Sequence, residues 1–211
     1  MDDYQLQPEA LPTWRQRTAL RLLRLLGWRM RYKPLPGPRG IAVVYPHTSN
    51  WDFSLFLGAT DALGIRPSYL GKHSLFRWPM DRFMRDMGGI PVDRTTRAHY
   101  VEQAVAAFAN RDELALVIAP EGTRHSDGRW KSGFYHIATG AGVPVVLARI
   151  DRRRRVIEIG PVIRPTGDYR GDLRRIGDFY RAADPGEPRF AQIDRVDPLP
   201  NPAPDALGDR P

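Results

Sequence analysis

Residues 41–52 read Ile-Ala-Val-Val-Tyr-Pro-His-Thr-Ser-Asn-Trp-Asp, and the change of character halfway along this stretch decides the fold. Ile41 to Tyr45 is a short, apolar, β-branched run after a Pro/Gly cluster, the pattern of a buried strand. Pro46 ends it, since proline has no amide hydrogen to give to a ladder. Ser49 or Asn50 can then cap a helix that begins at Asn50 or Trp51 and carries Phe53, Leu55, Phe56 and Leu57. Ser49 and Asp52 also have capping-box spacing. Strand, turn and helix follow one another directly, as at the start of an α/β unit.

The same stretch carries chemistry. Five helical residues turn through about 500°, so His47 and Asp52 cannot meet inside one regular helix. With His47 in the turn and Asp52 in the first helical turn, the carboxylate can fold back onto the imidazole. An aspartate in that position bonds one ring nitrogen, fixes the tautomer, and stabilises the imidazolium formed when the other nitrogen takes a proton. A hydroxyl activated in this way can attack a thioester. The competing reading is a helix N-cap in which Asp52 serves the helix dipole and His47 is an ordinary loop residue. Further along, Glu121-Gly-Thr-Arg124 places a glutamate and an arginine around a Gly-Thr turn, an arrangement able to hold an anionic substrate.

Outward from residues 41–52 the alternation continues. Arg66 to Gly71 reads as a short strand, and Pro79 to Met87 as a helix that Gly88-Gly89 stops. Ile90-Pro-Val92 is a short strand delivering Asp93 and Arg94 to a loop. Residues 97–109 have helical periodicity, with Tyr100, Val101, Ala104, Val105 and Phe108 on one side. Leu114 to Ala119 is the clearest buried strand, closed by Pro120 beside Glu121. A helix from Phe134 to Ala141 and strands at Val143 to Ile150 and Val156 to Ile159 follow. The pattern predicts a single layered α/β domain over residues 40–183, with a mostly parallel central sheet flanked by helices. Ligand sites in open α/β sheets gather outside the carboxyl ends of the strands, and His47, Arg94 and Glu121 each sit just past such an end.

Both ends of the chain read differently. Residues 14–33 place Arg17, Arg21 and Arg24 at helical spacing among leucines, with Trp14, Trp28 and Tyr32 toward the ends. Residues 1–33 are therefore expected to hold a basic amphipathic helix able to lie on an anionic membrane surface. Alternatives are packing on its own domain or nucleic-acid binding, the last without a recognised motif to accompany it. Residues 33–40 read as a linker, and 184–211 as an irregular Pro-rich tail.

Composition narrows the partners. Lys and Arg total 32 against 24 Asp and Glu, a formal charge of +8, which favours phospholipid surfaces, phosphorylated substrates or nucleic acid. The absence of cysteine excludes a thiol nucleophile, an acyl-cysteine intermediate, disulfides and Cys-ligated zinc. No apolar run is long enough to span a bilayer and no signal peptide is visible, so a cytoplasmic location is expected. No cluster of metal ligands appears.

Four blocks, in order, resemble the glycerolipid acyltransferases, that is the 1-acyl-glycerol-3-phosphate acyltransferases and related lysophospholipid acyltransferases. They are His47-x4-Asp52, Gly89-Ile-Pro-Val-Asp-Arg94, Pro120-Glu-Gly-Thr-Arg124 and Val143-Pro-Val-Val146, and the resemblance covers residues 40–150. Pro46 stands where the family often has Asn or His, and Leu147 where it usually has a second proline. The resemblance implies that His47 is the general base, that Asp52 is its partner, and that Arg94, Glu121, Gly122, Thr123 and Arg124 bind a phosphorylated acceptor. The acyl donor it implies is acyl-CoA or acyl carrier protein; a thioester's good leaving group calls for no metal, no cofactor is expected, and without a recognised motif no nucleic-acid partner is expected. The acceptor would be a lysophospholipid, reached from the inner face of the cell membrane.

Guanidinium forks at Arg94 and Arg124 suit phosphate, the competing reading being a loop ion pair, while Glu121 could bind the acceptor or equally well hold an arginine. Lys72 and Lys131 flank the motifs as further candidate contacts, while His73, His99, His125 and His136 lack a partner aspartate at comparable spacing and are assigned to structure. Arg152 to Arg155 falls at a turn between strands, solvated or facing anionic lipid or CoA phosphates. The competing functions are a non-catalytic protein that binds anionic lipid or nucleic acid, and an acyltransferase acting on an amine or a sugar.

Overall fold

Among the described residues, the alternating runs become six α-helices and seven strands. They are α1 (Trp14–Leu25), β1 (Arg29–Tyr32), β2 (Arg39–Val44), α2 (Trp51–Leu63), β3 (Pro67–Lys72), α3 (Asp81–Asp86), β4 (Gly89–Val92), α4 (Arg97–Ala109), β5 (Leu114–Ile118), α5 (Gly133–Ala141), β6 (Val145–Asp151), β7 (Val156–Ile163) and α6 (Tyr169–Ala183). The computed structural model describes residues 5–33, 36–46, 51–93, 95–122 and 130–193; at 51–54, 97 and 192 it describes the backbone alone. The strands form one sheet in the order β1-β7-β6-β2-β5-β3-β4. Every neighbouring pair is parallel except β6 and β7, so the sheet is mostly parallel, as the alternation predicts.

Side-chain alternation divides the core between the two faces of the sheet. Ile41, Val43, Leu70, Leu114, Leu116, Val145 and Leu147 pack under Phe108 of α4, Phe134 and Ile137 of α5, and Leu173, Ile176 and Tyr180 of α6. On the opposite face Val44, Val146 and Ala148 meet Phe56 and Leu63 of α2. Beside them Leu20 and Leu23 of α1 pack with Ala59, Ala62, Met30, Ile150 and Ile157. Both faces of β6 are covered, which is why its sequence is a continuous apolar run interrupted only by Arg149.

Arg149 is buried and sits opposite Glu158 in the β6–β7 ladder. Its Nε donates to Glu158 at 2.7 Å and its NH1 lies 3.4 Å from Asp151. The turn that follows is the four-arginine run Arg152 to Arg155, all exposed, with Arg154 also bonded to Asp151.

Four expectations change. The helix expected across 14–33 stops at Leu25, because Gly27 adopts φ +82° and closes the end. The Trp28 amide donates to Leu23 O at 2.9 Å and the Gly27 amide to Arg24 O at 2.8 Å, the paired bonds of a Schellman cap. Residues 29–32 then join the sheet as β1, with Met30 buried. Second, the stretch after Ile159, unassigned from sequence, extends β7 to Ile163 and forms α6, whose Asp168 side chain caps the Gly171 amide at 3.0 Å. Third, the expected tail is not all irregular, for Pro188–Gln192 forms a 3-10 helix that buries Phe190, and Ile193 is buried next to it. The linker expected at 33–40 likewise gives way to β2 from Arg39, paired with Leu114.

Asp172 of α6 is the most enclosed carboxylate described, at 1% exposure. It accepts from the Tyr135 hydroxyl at 2.8 Å, the Thr166 amide at 2.7 Å and the Thr166 hydroxyl, and it pairs with Arg175. Burial alone would raise its pKa, but these donors outweigh burial and hold the carboxyl below the usual carboxylate value. Because the folded-state pKa is the lower one, Asp172 stabilises the fold above the ordinary carboxylate range and loses that contribution as pH falls through it. Asp172→Ala should cost about 2–3 kcal/mol at neutral pH by orphaning Tyr135 and Thr166. In urea denaturation at neutral pH and near pH 3, the gap between wild type and variant should narrow at the acid end. An undiminished gap would exclude this account.

Candidate active site

Four adjacent parallel strands, β2, β5, β3 and β4, end on one edge of the sheet at Val44, Ile118, Lys72 and Val92. Each expected site residue follows, or stands at, one of these ends. His47, Arg94, Thr123 and Arg124 lie outside the described residues, and of Asp52 only the backbone, in the first turn of α2, is described. The expected contacts among these side chains therefore lie outside the description too. Glu121, Gly122, Lys72 and Lys131 are described.

Glu121 and Gly122 occupy a tight turn after β5, in which the Gly122 amide donates to Ala119 O at 3.1 Å. Lys131 returns to the same turn, its amide donating to Pro120 O at 2.9 Å. Gly122 has φ +72°, and a Cβ there would stand 2.6 Å from the Lys131 Nζ. A left-handed backbone and a close ammonium together explain the glycine. The turn thus carries a buried carboxylate, at 6% exposure, with a cation against the next residue. Lys72 is exposed at the end of the neighbouring strand β3, on the same edge.

Beneath this edge lies an aromatic floor. Tyr45, at the exit of β2, stacks edge-on against Trp130 (centroids 5.0 Å apart) and Tyr180 (5.5 Å), and meets Phe190 at 5.7 Å. Its hydroxyl donates to Arg189 O at 2.8 Å. Burial, followed by the nearby negative charge of Glu121, pushes the Tyr45 phenol up to about 12, so it remains a neutral donor. Arg189 is held by Glu187 through a two-pronged pair at 2.7 and 3.0 Å. That pair, and more distantly Tyr45 and Glu121, raise the guanidinium pKa despite partial burial. A segment expected to be tail thus reaches the underside of the Glu121 turn.

Past β4, Gln103 of α4 clamps the chain next to position 94. Its amide nitrogen donates to Asp93 O at 3.1 Å, and its side-chain oxygen accepts from the Asp93 amide at 3.0 Å. The Asp93 carboxylate in turn accepts from the Thr95 amide at 2.9 Å. Both flanks of that position are fixed by hydrogen bonds.

Tyr45, Trp130, Gln103 and Arg189 were not singled out from sequence. For Arg189 the only local signal is the apolar pair Phe190 and Ile193 in an otherwise polar stretch. Among the described residues, no group of three His, Asp or Glu side chains is arranged to hold a metal ion, and no helix is long and apolar enough to cross a membrane.

The family model for acyltransferases matches residues 31–150, more than half of the chain. The chain belongs to the acyltransferase family. Within it, the 1-acyl-sn-glycerol-3-phosphate acyltransferase of Haemophilus influenzae is 31% identical over 169 residues, spanning 70% of this chain and 67% of that protein. The crystal structure of the 1-acyl-sn-glycerophosphate (LPA) acyltransferase PlsC from Thermotoga maritima shares the fold. Its TM-score is 0.52 at 20% identity, covering 78% of this chain and 74% of the other. In this acyltransferase the matched region runs from β1 through β6 and contains all four strand ends that frame the site.

Proposed function

We propose that this acyltransferase moves a fatty acyl group from an acyl thioester, carried by CoA or acyl carrier protein, to a free hydroxyl of 1-acyl-glycerol-3-phosphate or a similar lysophospholipid. The observation that carries this reading is the common edge on which β2, β5, β3 and β4 end, because the motif residues His47, Asp52, Arg94 and Glu121 follow three of those strands in the sequence. The name of the Haemophilus influenzae relative supports the acceptor.

In the proposed mechanism His47 takes the acceptor's hydroxyl proton as the oxygen attacks the thioester carbonyl. Asp52 holds the ring and stabilises the imidazolium. The tetrahedral intermediate collapses with loss of sulfur, which leaves as a thiol after receiving the proton, so no acyl-enzyme forms. Arg94 and Arg124 grip the phosphate, with Lys131 and Lys72 adding positive charge at the same edge. Glu121, buried beside Tyr45, orders the turn that carries Gly122. The thioester's good leaving group means that positioning and proton transfer supply most of the acceleration.

α1 supplies a membrane contact on the inner face of the cell membrane. Trp14, Leu22 and Leu25 are exposed on it, and Leu26 at its C-cap, alongside the exposed Arg15, Arg17 and Arg21. To test the activity, purified protein is incubated with radiolabelled palmitoyl-CoA or palmitoyl-carrier protein and a panel of lysolipids, sugars and amines. Labelled diacyl phospholipid from 1-acyl-glycerol-3-phosphate is expected. Transfer to sugars or amines with none to any lysolipid would overturn the reading.

A further inference from the structure

The crossover from β3 to β4 carries a second exposed apolar surface, well removed in sequence from α1. Trp78 is 92% exposed, with Phe83, Leu75 and Met80 exposed near it in sequence. Burial inside the domain does not account for side chains of this size, and Trp is a typical residue of the membrane–water interface.

The strand register shows which way this segment lies. Pro67 of β3 pairs with Ala115 of β5 and Ser68 with Leu116, so Ser68 and Leu70 point to the face covered by α4, α5 and α6, while Tyr69 and Gly71 point to the face covered by α1 and α2. Phe76 packs where Gly71 and Gly89 lack side chains, and the Tyr69 hydroxyl reaches Met84 O at 3.4 Å. Residues 73–86 therefore lie on the same face of the sheet as α1 and α2, at its other end. They leave β3 at Lys72, on the edge that frames the active site.

The charge on this face identifies what covers it. Arg82 and Arg85 are paired with Asp86 and Asp81 within α3, and Lys72 and Arg77 add two further cations along the crossover. At the far end of the face, residues 14–33 hold seven Arg and Lys and no acid. Exposed aromatic and aliphatic side chains interleaved with cations, at both ends of one face, complement an anionic bilayer.

We propose that residues 75–83 are a second membrane-insertion element. With α1 they lay the α1–α2 face of the sheet on an anionic bilayer, bringing the carboxyl end of β3 to the lipid headgroups. The proposal rests on the lipid-acceptor reading for its purpose, though not for its test. Two-point contact fixes the orientation of the molecule and lets an acceptor slide from the membrane into the site edgewise.

The test uses the full chain with vesicles of phosphatidylcholine, alone or mixed with phosphatidylglycerol. Trp78→Ser/Phe83→Ser should weaken partition onto the mixed vesicles by about tenfold or more. It should leave turnover of a short-chain, water-soluble acceptor within about twofold of wild type, because neither residue is among the expected site residues. Brominated lipid should quench the tryptophan fluorescence of the wild type, and Trp78→Phe should remove a large share of that quenching while vesicle binding persists. Unchanged partition of the double variant overturns the proposal, as does quenching in Trp78→Phe that is undiminished from wild type. So does loss of a wild-type dimer, seen by sedimentation, with vesicle binding intact. If no acceptor is turned over while Trp78-dependent quenching holds, the insertion element stands and the catalytic reading fails.

Discussion

Alanine at His47 should lower kcat for acyl transfer by about 10²- to 10⁴-fold, the range typical of a lost general base, with little change in KM for the acceptor. The histidine follows Pro46 in the sequence between β2 and α2, and those two elements pack on the sheet through Val44, Phe56 and Leu63. The variant should accordingly melt within a few degrees of wild type. Asp52→Asn should also slow turnover, since an amide cannot stabilise the imidazolium. The double variant should fall only slightly below His47→Ala, because the two groups act as a unit. Steady-state assays of the three variants decide the matter. Near wild-type turnover in His47→Ala ends the general-base proposal, and additive losses would separate the two residues.

The largest loss of stability is expected at Arg149. Removing its guanidinium strands Glu158 and weakens the hold on Asp151, both largely enclosed between β6 and β7. Breaking such a buried pair from one side costs about 3–5 kcal/mol. For a chain of this size that corresponds to a fall in Tm of roughly 6–20 °C. Arg149→Leu/Glu158→Leu should recover much of the loss, because the cost lies in the abandoned carboxylate rather than in the missing attraction. Calorimetry of the single and double variants checks both statements. A double variant no more stable than Arg149→Ala would place the cost in packing.

What was readable in the sequence follows the range of the signals. β5 and β6 are apolar because both faces are covered, and such a run needs no knowledge of its neighbours to be recognised as a strand. Their order in the sheet, and the antiparallel turn of β7 against β6, depend on partners remote in sequence. The N-terminal helix is shorter than its composition suggests because basic and apolar residues continue past Leu25 through Trp28, Arg29, Met30 and Arg31, and only Gly27 marks the break. α6 is amphipathic by any count, with Tyr169, Leu173, Ile176 and Tyr180 on one side and Asp168 as cap, so it was legible but not read.

For the site, the motif residues declared themselves by type and spacing. Their support did not. Tyr45, Trp130 and Phe190 are ordinary aromatics until the fold stacks them, and the Gln103 clamp on Asp93 spans a strand end and a helix that only the tertiary structure joins. Arg189 escaped because a proline-bearing, polar context suppresses the expectation of burial, whereas two apolar side chains suffice to dock a short segment.

The docking of that segment bears on when the enzyme comes alive during synthesis. The floor under the Glu121 turn joins Tyr45 to Arg189 across 144 positions, so the four matched blocks all leave the ribosome before their support exists. A nascent chain that has exposed every motif still lacks Phe190 and Ile193. Tyr45 and the Glu121 turn therefore gain this part of their floor only once residues 189–193 have emerged.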